Sequence, residues 1–271
     1  MANDAGELLA VAVEVAREAA LLAQKFRDEG IGEVGAKSTA TDPVTAADRA
    51  VERLIVGMLR ESRPADQVLG EEYGAQRNGV DRADAGVRWV VDPIDGTVNY
   101  VYGLPQYAVS IAAQVDGRSL AGVVVNAATG EEWTATRGGG AWRAGRRLAC
   151  STRTDLAQSL IATGFGYEAA RRAHQGSVVA RLVPQVRDIR RFGAAALDLC
   201  FAAEGRVDAY YEKGLNAWDH AAGGLVAEEA GLRVEGLRGQ PPSTAMVVAA
   251  PPALFGPLHE LLVELDADGG P

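Results

Sequence analysis

Between Tyr107 and Leu148 the chain repeats one unit, a short apolar run followed by a glycine-bearing turn. Ala108-Val109-Ser110-Ile111 leads to Asp116-Gly117, Leu120 to Val125 leads to Thr129-Gly130, and Glu132 to Thr136 leads to Gly138-Gly139-Gly140. Such punctuation predicts antiparallel hairpins. Past Cys150 the rhythm becomes an alternation of strands and helices. Strands are predicted over 160–163, 188–192, 206–211 and 246–249, and helices over 167–186, 194–203, 219–230 and 252–265, with the last few residues frayed. No repeat, low-complexity tract or Pro/Ser linker separates the two regimes. They are expected to form a single compact unit over 1–271, with subdomains of about 1–150 and 151–271.

Two amphipathic helices are predicted ahead of the meander. Leu8, Val11, Val15, Ala19, Leu22 and Phe26 make one apolar stripe, and Val51, Leu54, Ile55, Met58 and Leu59 make another. Thr45-Ala46-Ala47-Asp48 has the form of a capping box at the start of the second. A short strand ends at Val68-Leu69-Gly70-Glu71-Glu72, a loop rich in Gly, Asp and Arg follows, and Arg88-Trp89-Val90-Val91 is a strand stopped by Asp92-Pro93.

With 27 basic against 36 acidic residues the net charge is −9, the wrong sign for a bulk nucleic-acid or anionic-membrane binder. An acidic chain that handles phosphate must bring a cation to it. Cys150 and Cys200 form no CxxC and are expected to be reduced and buried. The start, Met1-Ala2-Asn3-Asp4, lacks the basic-then-apolar order of a signal peptide, and no apolar run is long enough for a bilayer. A soluble cytoplasmic protein is expected.

The segment richest in chemistry is Trp89-Val90-Val91-Asp92-Pro93-Ile94-Asp95-Gly96-Thr97. A buried strand leaves with two carboxylates around a proline, and a glycine permits a tight turn. Asp92, Asp95 and the Ile94 carbonyl can then face one space, and hard oxygen donors of this kind suit Mg²⁺. Thr97-Val98-Asn99-Tyr100 opens a short helix whose free N–H groups would receive a phosphate. The same residues also make ordinary Asp-Pro and Asp-Gly turns. Two further acidic strand ends, Gly70-Glu71-Glu72 and Asn216-Ala217-Trp218-Asp219, favour the metal reading, because acids at the ends of several strands suit a crevice site.

Together these segments resemble the inositol monophosphatase family, the Mg²⁺-dependent, lithium-sensitive sugar phosphatases. The strand-and-turn segment 89–97 matches the first family motif and Trp218-Asp219-His220-Ala221-Ala222-Gly223-Gly224 the second, with Gly70-Glu71-Glu72 and the stretch from Lys37-Ser38-Thr39 to Asp48 matching besides. The resemblance implies an α/β fold, a layered αβαβα sandwich. It implies that Glu71, Asp92 and the Ile94 carbonyl hold one Mg²⁺, that Asp92, Asp95 and Asp219 hold a second, and that a third, weaker ion lies near Glu71. Asp48 and Thr97, with Glu71 and its waters beside them, would orient and deprotonate the attacking water. The Gly96 and Thr97 N–H groups would take phosphate oxygens, and Asp95, Gly193, Ala194, Ala195, Glu212 and Asp219 would face the alcohol. Many relatives carry Ser or Thr at the place of Ala194, so a hydroxyl is missing here. The implied reaction is hydrolysis of a small phosphorylated polyol, myo-inositol 1-phosphate ahead of histidinol phosphate, fructose bisphosphate or phosphoadenosine phosphate, by a homodimer.

Several residues keep two readings. Asp48 serves either a capping box or water activation, and Lys37 is expected to balance charge near the acids. Arg190, Arg191 and Lys213 either steer an anionic substrate or are solvated strand-end charges. Gly164-Phe165-Gly166-Tyr167-Glu168-Ala169 has the GxGxxA form of a dinucleotide fingerprint, but its strand follows hairpins and is not expected to open a βαβ unit. No P-loop, zincin or serine-hydrolase motif occurs, and His174, His220 and His259 are scattered. A regulatory or binding protein that keeps the fold is the alternative from another class.

Overall fold

The computed structural model describes residues 4–30, 34–39, 41, 43–76 and 86–271. Helix α1 (Ala5–Glu29) starts at Asp4, whose carboxylate accepts the Gly6 N–H at 2.7 Å. Strands β1 (Val34–Ala36) and β2 (Pro43–Thr45) pair antiparallel and bracket the polar approach segment, where no strand is predicted. Ala40 and Asp42 of that segment lie outside the described residues. Helix α2 (Ala46–Ser62) carries the predicted capping box between Thr45 and Asp48.

An eight-stranded sheet follows, built from β3 (Gln67–Gly70), β4 (Gly74–Gln76), β5 (Arg88–Asp95), β6 (Ala108–Val115), β7 (Arg118–Asn126), β8 (Glu132–Thr136), β9 (Gly140–Arg143) and β10 (Arg146–Arg147). Its spatial order is β10-β9-β8-β7-β6-β5-β3-β4, with the predicted meander contributing consecutive antiparallel neighbours. Strand β4 occupies the start of the predicted loop, and most of that loop lies outside the described residues. Helix α3 (Thr97–Tyr102) sits between β5 and β6.

The second half contains β11 (Leu160–Thr163), α4 (Ala169–Leu182), β12 (Asp188–Arg190), α5 (Ala195–Glu204), β13 (Ala209–Glu212), α6 (Ala217–Glu229), β14 (Arg233–Glu235), β15 (Val247–Ala250) and α7 (Pro252–Glu264). The strands form a five-stranded sheet ordered β12-β11-β13-β15-β14. Strand β14, three residues long, has no counterpart in the prediction. Strand β11 runs parallel to β12, so β11–α4–β12 is a βαβ unit after all. Contrary to expectation the fingerprint segment does open a βαβ unit, but its turn has no room for a nucleotide: a Cβ on Gly164 would stand 2.0 Å from Glu212 Oε2. The turn is packed against a carboxylate, which repels a pyrophosphate.

Side-chain alternation assigns the layers. In β5, Trp89 and Val91 face the core under α1 and α2, while Val90 faces the core shared with α5 and α6. In β15, Val247 and Ala249 face that same shared core, while Val248 and Ala250 face α4 and α7. Period-two burial on both faces accounts for the continuous apolar runs of these strands. The stack is α1/α2, large sheet, α5/α6, small sheet, α4/α7, the layered α/β sandwich. Cys150 and Cys200 are free thiols. Among the described residues no helix is long and apolar enough to cross a membrane.

Two details depart from expectation and shape the site. Asp92-Pro93 does not stop β5. Pairing with β6 holds from Arg88↔Gln114 to Asp92↔Ser110 and resumes at Asp95↔Ala108, so β5 carries one extra residue there. Residues three apart on a regular strand face opposite sides; the bulge reverses the alternation and lets Asp92 and Asp95 share a side. Pro93, with no N–H to give, is at home in it. The chain end is not frayed either: Lys213 Nζ donates to the carbonyls of Gly269, Gly270 and Pro271 at 2.7, 3.0 and 3.2 Å, and His174 Nε2 lies 2.8 Å from the Asp266 carbonyl.

Candidate active site

The ends of β3, β5 and β13 and the starts of α3, α5 and α6 surround one cleft of about 240 Å³. Glu71, Asp92, Ile94, Asp95, Gly96, Thr97, Gly193, Ala195, Glu212 and Asp219, each singled out from sequence, line it. Gly96 makes the turn between β5 and α3 with φ +86°, and a Cβ there would stand 2.8 Å from the Gln106 carbonyl. Only glycine meets both demands.

Asp48 lies fully buried behind Thr97. One of its oxygens, Oδ2, accepts the Thr45 N–H at 2.8 Å and the Thr45 hydroxyl at 2.5 Å, closing the capping box. The other, Oδ1, is 3.2 Å from Thr97 Oγ1, which also reaches the Ile94 carbonyl at 3.1 Å. Cap and cleft contact are thus two ends of one carboxylate, not rival roles.

Asp95 rests on the N-terminus of α5, accepting the Ala195 N–H at 3.2 Å and the Ala196 N–H at 2.7 Å. Ala194 occupies the cap position of α5 with no side-chain hydrogen bond of its own. Contrary to the expectation that it faces the alcohol, it does not line the cleft but is 1% exposed and packs against Gly96. The hydroxyl missing at 194 is a missing helix cap, and Asp95 supplies the acceptors instead. At the start of α6, Asp219 accepts the Asn216 N–H at 2.6 Å. Asn99, which sequence reasoning left unassigned, ties α3 to the loop before α5 by donating to the Gln106 and Phe192 carbonyls, both at 2.7 Å.

The acids repel one another. Burial, then the charges of Glu71, Asp95 and Asp219, pushes the Asp92 carboxyl well above its ordinary range. Burial also raises Asp95, Glu212 and Asp219, each against a hydrogen bond that favours the charged form. Burial raises Glu71 too, opposed by Lys37, whose Nζ is 2.8 Å from Glu71 Oε1 and 2.5 Å from Glu72 Oε1. Burial disfavours the Lys37 ammonium, yet these two carboxylates hold its pKa above the usual lysine value. A cleft of this charge calls for cations, and the donors on offer are all hard oxygens. Among the described residues no three carboxylates or histidines are gathered tightly enough to cage an ion as they stand; the acids line the wall of the cleft.

Of the two arginines before Gly193, Arg191 lines the cleft and lies over the Phe165 ring at 5.9 Å, while Arg190 pairs outside with Asp188 at 2.5 Å. Arg171 and residues 165–168 complete the rim. Sequence reading singled out 164–169 only as a possible nucleotide turn. Its glycines, which allow close approach of neighbouring elements, were the available signal. His220 stands apart as a half-buried ring, its pKa lowered to about 4 by burial.

The family model for the inositol monophosphatase family matches residues 4–267. The chain belongs to the inositol monophosphatase family. A Mycobacterium leprae inositol-1-monophosphatase is 46% identical over 267 residues, covering 93% of this chain and 92% of its own. The Escherichia coli K12 relative named Nus factor SuhB is 41% identical over 226 residues, 83% of each chain. The solved structure of Mycobacterium tuberculosis SuhB superposes with a TM-score of 0.82 at 42% identity, covering 98% of this chain and all of that one. The layered sandwich is therefore the inositol monophosphatase fold, and the chain is a phosphatase of that family.

Proposed function

We propose that the chain is a Mg²⁺-dependent phosphate monoester hydrolase whose first substrate is inositol 1-phosphate. The observation that carries this reading is the single cleft lined by Glu71, Asp92, Asp95 and Asp219 from three separate segments, with burial and mutual repulsion raising their proton affinity. The all-oxygen donor set fits Mg²⁺ better than a softer metal. Glu71, Asp92 and the Ile94 carbonyl would hold one ion, Asp92, Asp95 and Asp219 a second, with a third near Glu71. Bound ions would supply charge neutralisation and Lewis acidity at the phosphoryl group. The Gly96 and Thr97 N–H groups would receive phosphate oxygens. Thr97 Oγ1, donating to Asp48 Oδ1, keeps a lone pair free to take a hydrogen bond from the attacking water and pass its proton to Asp48. Asp95, Gly193, Ala195, Glu212 and Asp219 face the alcohol, and Arg191 with Lys213 draws in the anion.

Thr97→Val and Asp48→Asn separate the two duties of Asp48. Thr97→Val leaves the capping box intact and is expected to lower kcat at least about tenfold with little loss of stability. Asp48→Asn puts an amide into the same network and is expected to lose both kcat and about 1 kcal/mol of stability. Equal stability losses without a kcat change in Thr97→Val would remove Thr97 from the mechanism.

A phosphate-release panel tests the substrate. Inositol 1-phosphate is expected to give the highest kcat/KM with Mg²⁺, ahead of histidinol phosphate, fructose 1,6-bisphosphate and phosphoadenosine phosphate, with inhibition by Li⁺. A reversed order would move the substrate while leaving the chemistry in place. No release from any of them, with or without Mg²⁺, would defeat the reading. The Escherichia coli relative's name supports a second reading, a regulatory role kept on the same fold; a binding partner retained by a hydrolytically dead variant would support it. A cytoplasmic homodimer is proposed for either reading.

A further inference from the structure

One buried acid near the cleft has no part in the scheme above. Glu52 stands one turn after Asp48 on α2 and is fully buried. Its Oε2 accepts the Glu72 N–H at 2.7 Å and its Oε1 the Tyr73 N–H at 3.1 Å. The carboxylate lies directly over Gly70, where a Cβ would stand 2.0 Å from Oε1. Gly70 is therefore glycine because Glu52 needs the room.

These contacts surround Glu71. The two N–H groups that Glu52 takes belong to the residues immediately after it, and the glycine that Glu52 covers is the residue immediately before. Two hydrogen bonds to one carboxylate fix the peptides on the far side of Glu71 as a unit, and charge-assisted bonds of this kind are among the stronger ones available. Lys37 holds the same turn from the other side, through the Glu71 and Glu72 carboxylates. The turn has little freedom left except in the Glu71 side chain. Asp48 and Glu52 are also four residues apart on one helix, about 6 Å along its axis. The Thr97–Asp48 pair and the Glu71 turn are thereby referenced to one rigid element.

We propose that Glu52 is a positioning residue that aims Glu71 at the divalent cation. A buried carboxylate is costly to desolvate, and here its hydrogen-bonding capacity goes to the backbone of one turn. Residues that orient metal ligands in this way change metal affinity by about 10- to 100-fold when altered. The inference rests on Glu71 holding a metal, as proposed above.

The test is Glu52→Gln, titrated with Mn²⁺ while the EPR signal of the free ion is followed, beside wild type. Glutamine keeps the shape but turns one acceptor into a donor that faces an N–H. Mn²⁺ binding is expected to weaken at least about tenfold, the Mg²⁺ concentration for half-maximal activity to rise by a similar factor, and kcat at saturating Mg²⁺ to stay within about threefold. A role confined to fold stability would lower the melting temperature and leave metal affinity alone. Mn²⁺ affinity within about twofold of wild type in a folded variant overturns the proposal. If Glu52→Gln does not fold, Tyr73→Pro takes its place, since it removes one of the two N–H donors at a side chain that is 41% exposed. At least about threefold weaker Mn²⁺ binding is then expected, and unchanged affinity overturns the proposal. Wild type that binds no Mn²⁺ overturns the metal reading itself, a result distinct from either.

Discussion

Asp92→Asn is expected to lower phosphate release in the presence of Mg²⁺ by at least about a hundredfold and to leave the protein folded. Asp92 is the acid proposed to hold both ions, so its loss would damage both binding sites at once. It is 2% exposed, and Oδ1 accepts the Ile94 N–H at 3.0 Å. Asparagine has the same shape and can keep that bond through its own carbonyl oxygen. The variant also removes a charge that Glu71, Asp95 and Asp219 all oppose. In metal-free buffer its melting temperature is therefore expected to equal or exceed that of wild type. Lost activity with retained or raised stability is the signature of a ligand held against its own electrostatics. Near-wild-type turnover would strike Asp92 from the site, and a large fall in metal-free stability would show that it serves the fold.

The parts of this site that were legible in the sequence share a cause. Glu71, Asp92, Asp95 and Asp219 each follow an apolar strand or open a helix, where a carboxylate is conspicuous against its neighbours. Glu52 was not legible, because an acid among Val51, Ile55 and Leu59 reads as the solvent face of an amphipathic helix. The Gly70 backbone, 18 residues further along the chain, and the Glu72 and Tyr73 N–H groups give it a buried place, and its helix pattern carries no sign of that approach. Asp198, buried on α5 among apolar neighbours, was likewise not singled out from the sequence. The bulge in β5 escaped because Asp92-Pro93 signals the end of a strand as strongly as it signals a kink. Strands β1, β2, β4 and β14 have three residues each, too few to show a period. The tied chain end depends on Lys213, more than fifty residues upstream. The layered fold itself was reached through family resemblance; periodicity alone delivered hairpins and alternation but not how the two sheets stack.

Without divalent cations the protein is expected to lose stability as pH rises from 6.5 to 8, and Mg²⁺ to restore more of it at pH 8 than at 6.5. The sign follows from the cleft acids. Glu71 and Asp95 are pushed up to about 7 by burial, and Asp92 and Asp219 are raised well above the usual carboxylate value. An unfolded carboxyl titrates near pH 4, so above that the folded chain binds more protons than the unfolded one. Stability then falls with rising pH until the folded groups have ionised. Below pH 6.5 His220 works the other way, because burial holds its folded pKa near 4 while the unfolded ring still takes a proton. Glu131, held below its ordinary value by Arg206, is fully ionised throughout the range. Above 6.5 that opposing contribution fades as the unfolded ring loses its proton, and the acids dominate. Ions that bind only the folded, deprotonated cleft reverse the trend by mass action. In EDTA the melting temperature is expected to drop by roughly 5 °C or more across this interval, since about 1 kcal/mol corresponds to a few degrees at this size. In Asp92→Asn the drop should shrink, because one of the opposing charges is gone. A melting temperature that is flat or rising in EDTA, or a Mg²⁺ effect equal at both pH values, would mean that these carboxylates do not crowd one another in the folded chain.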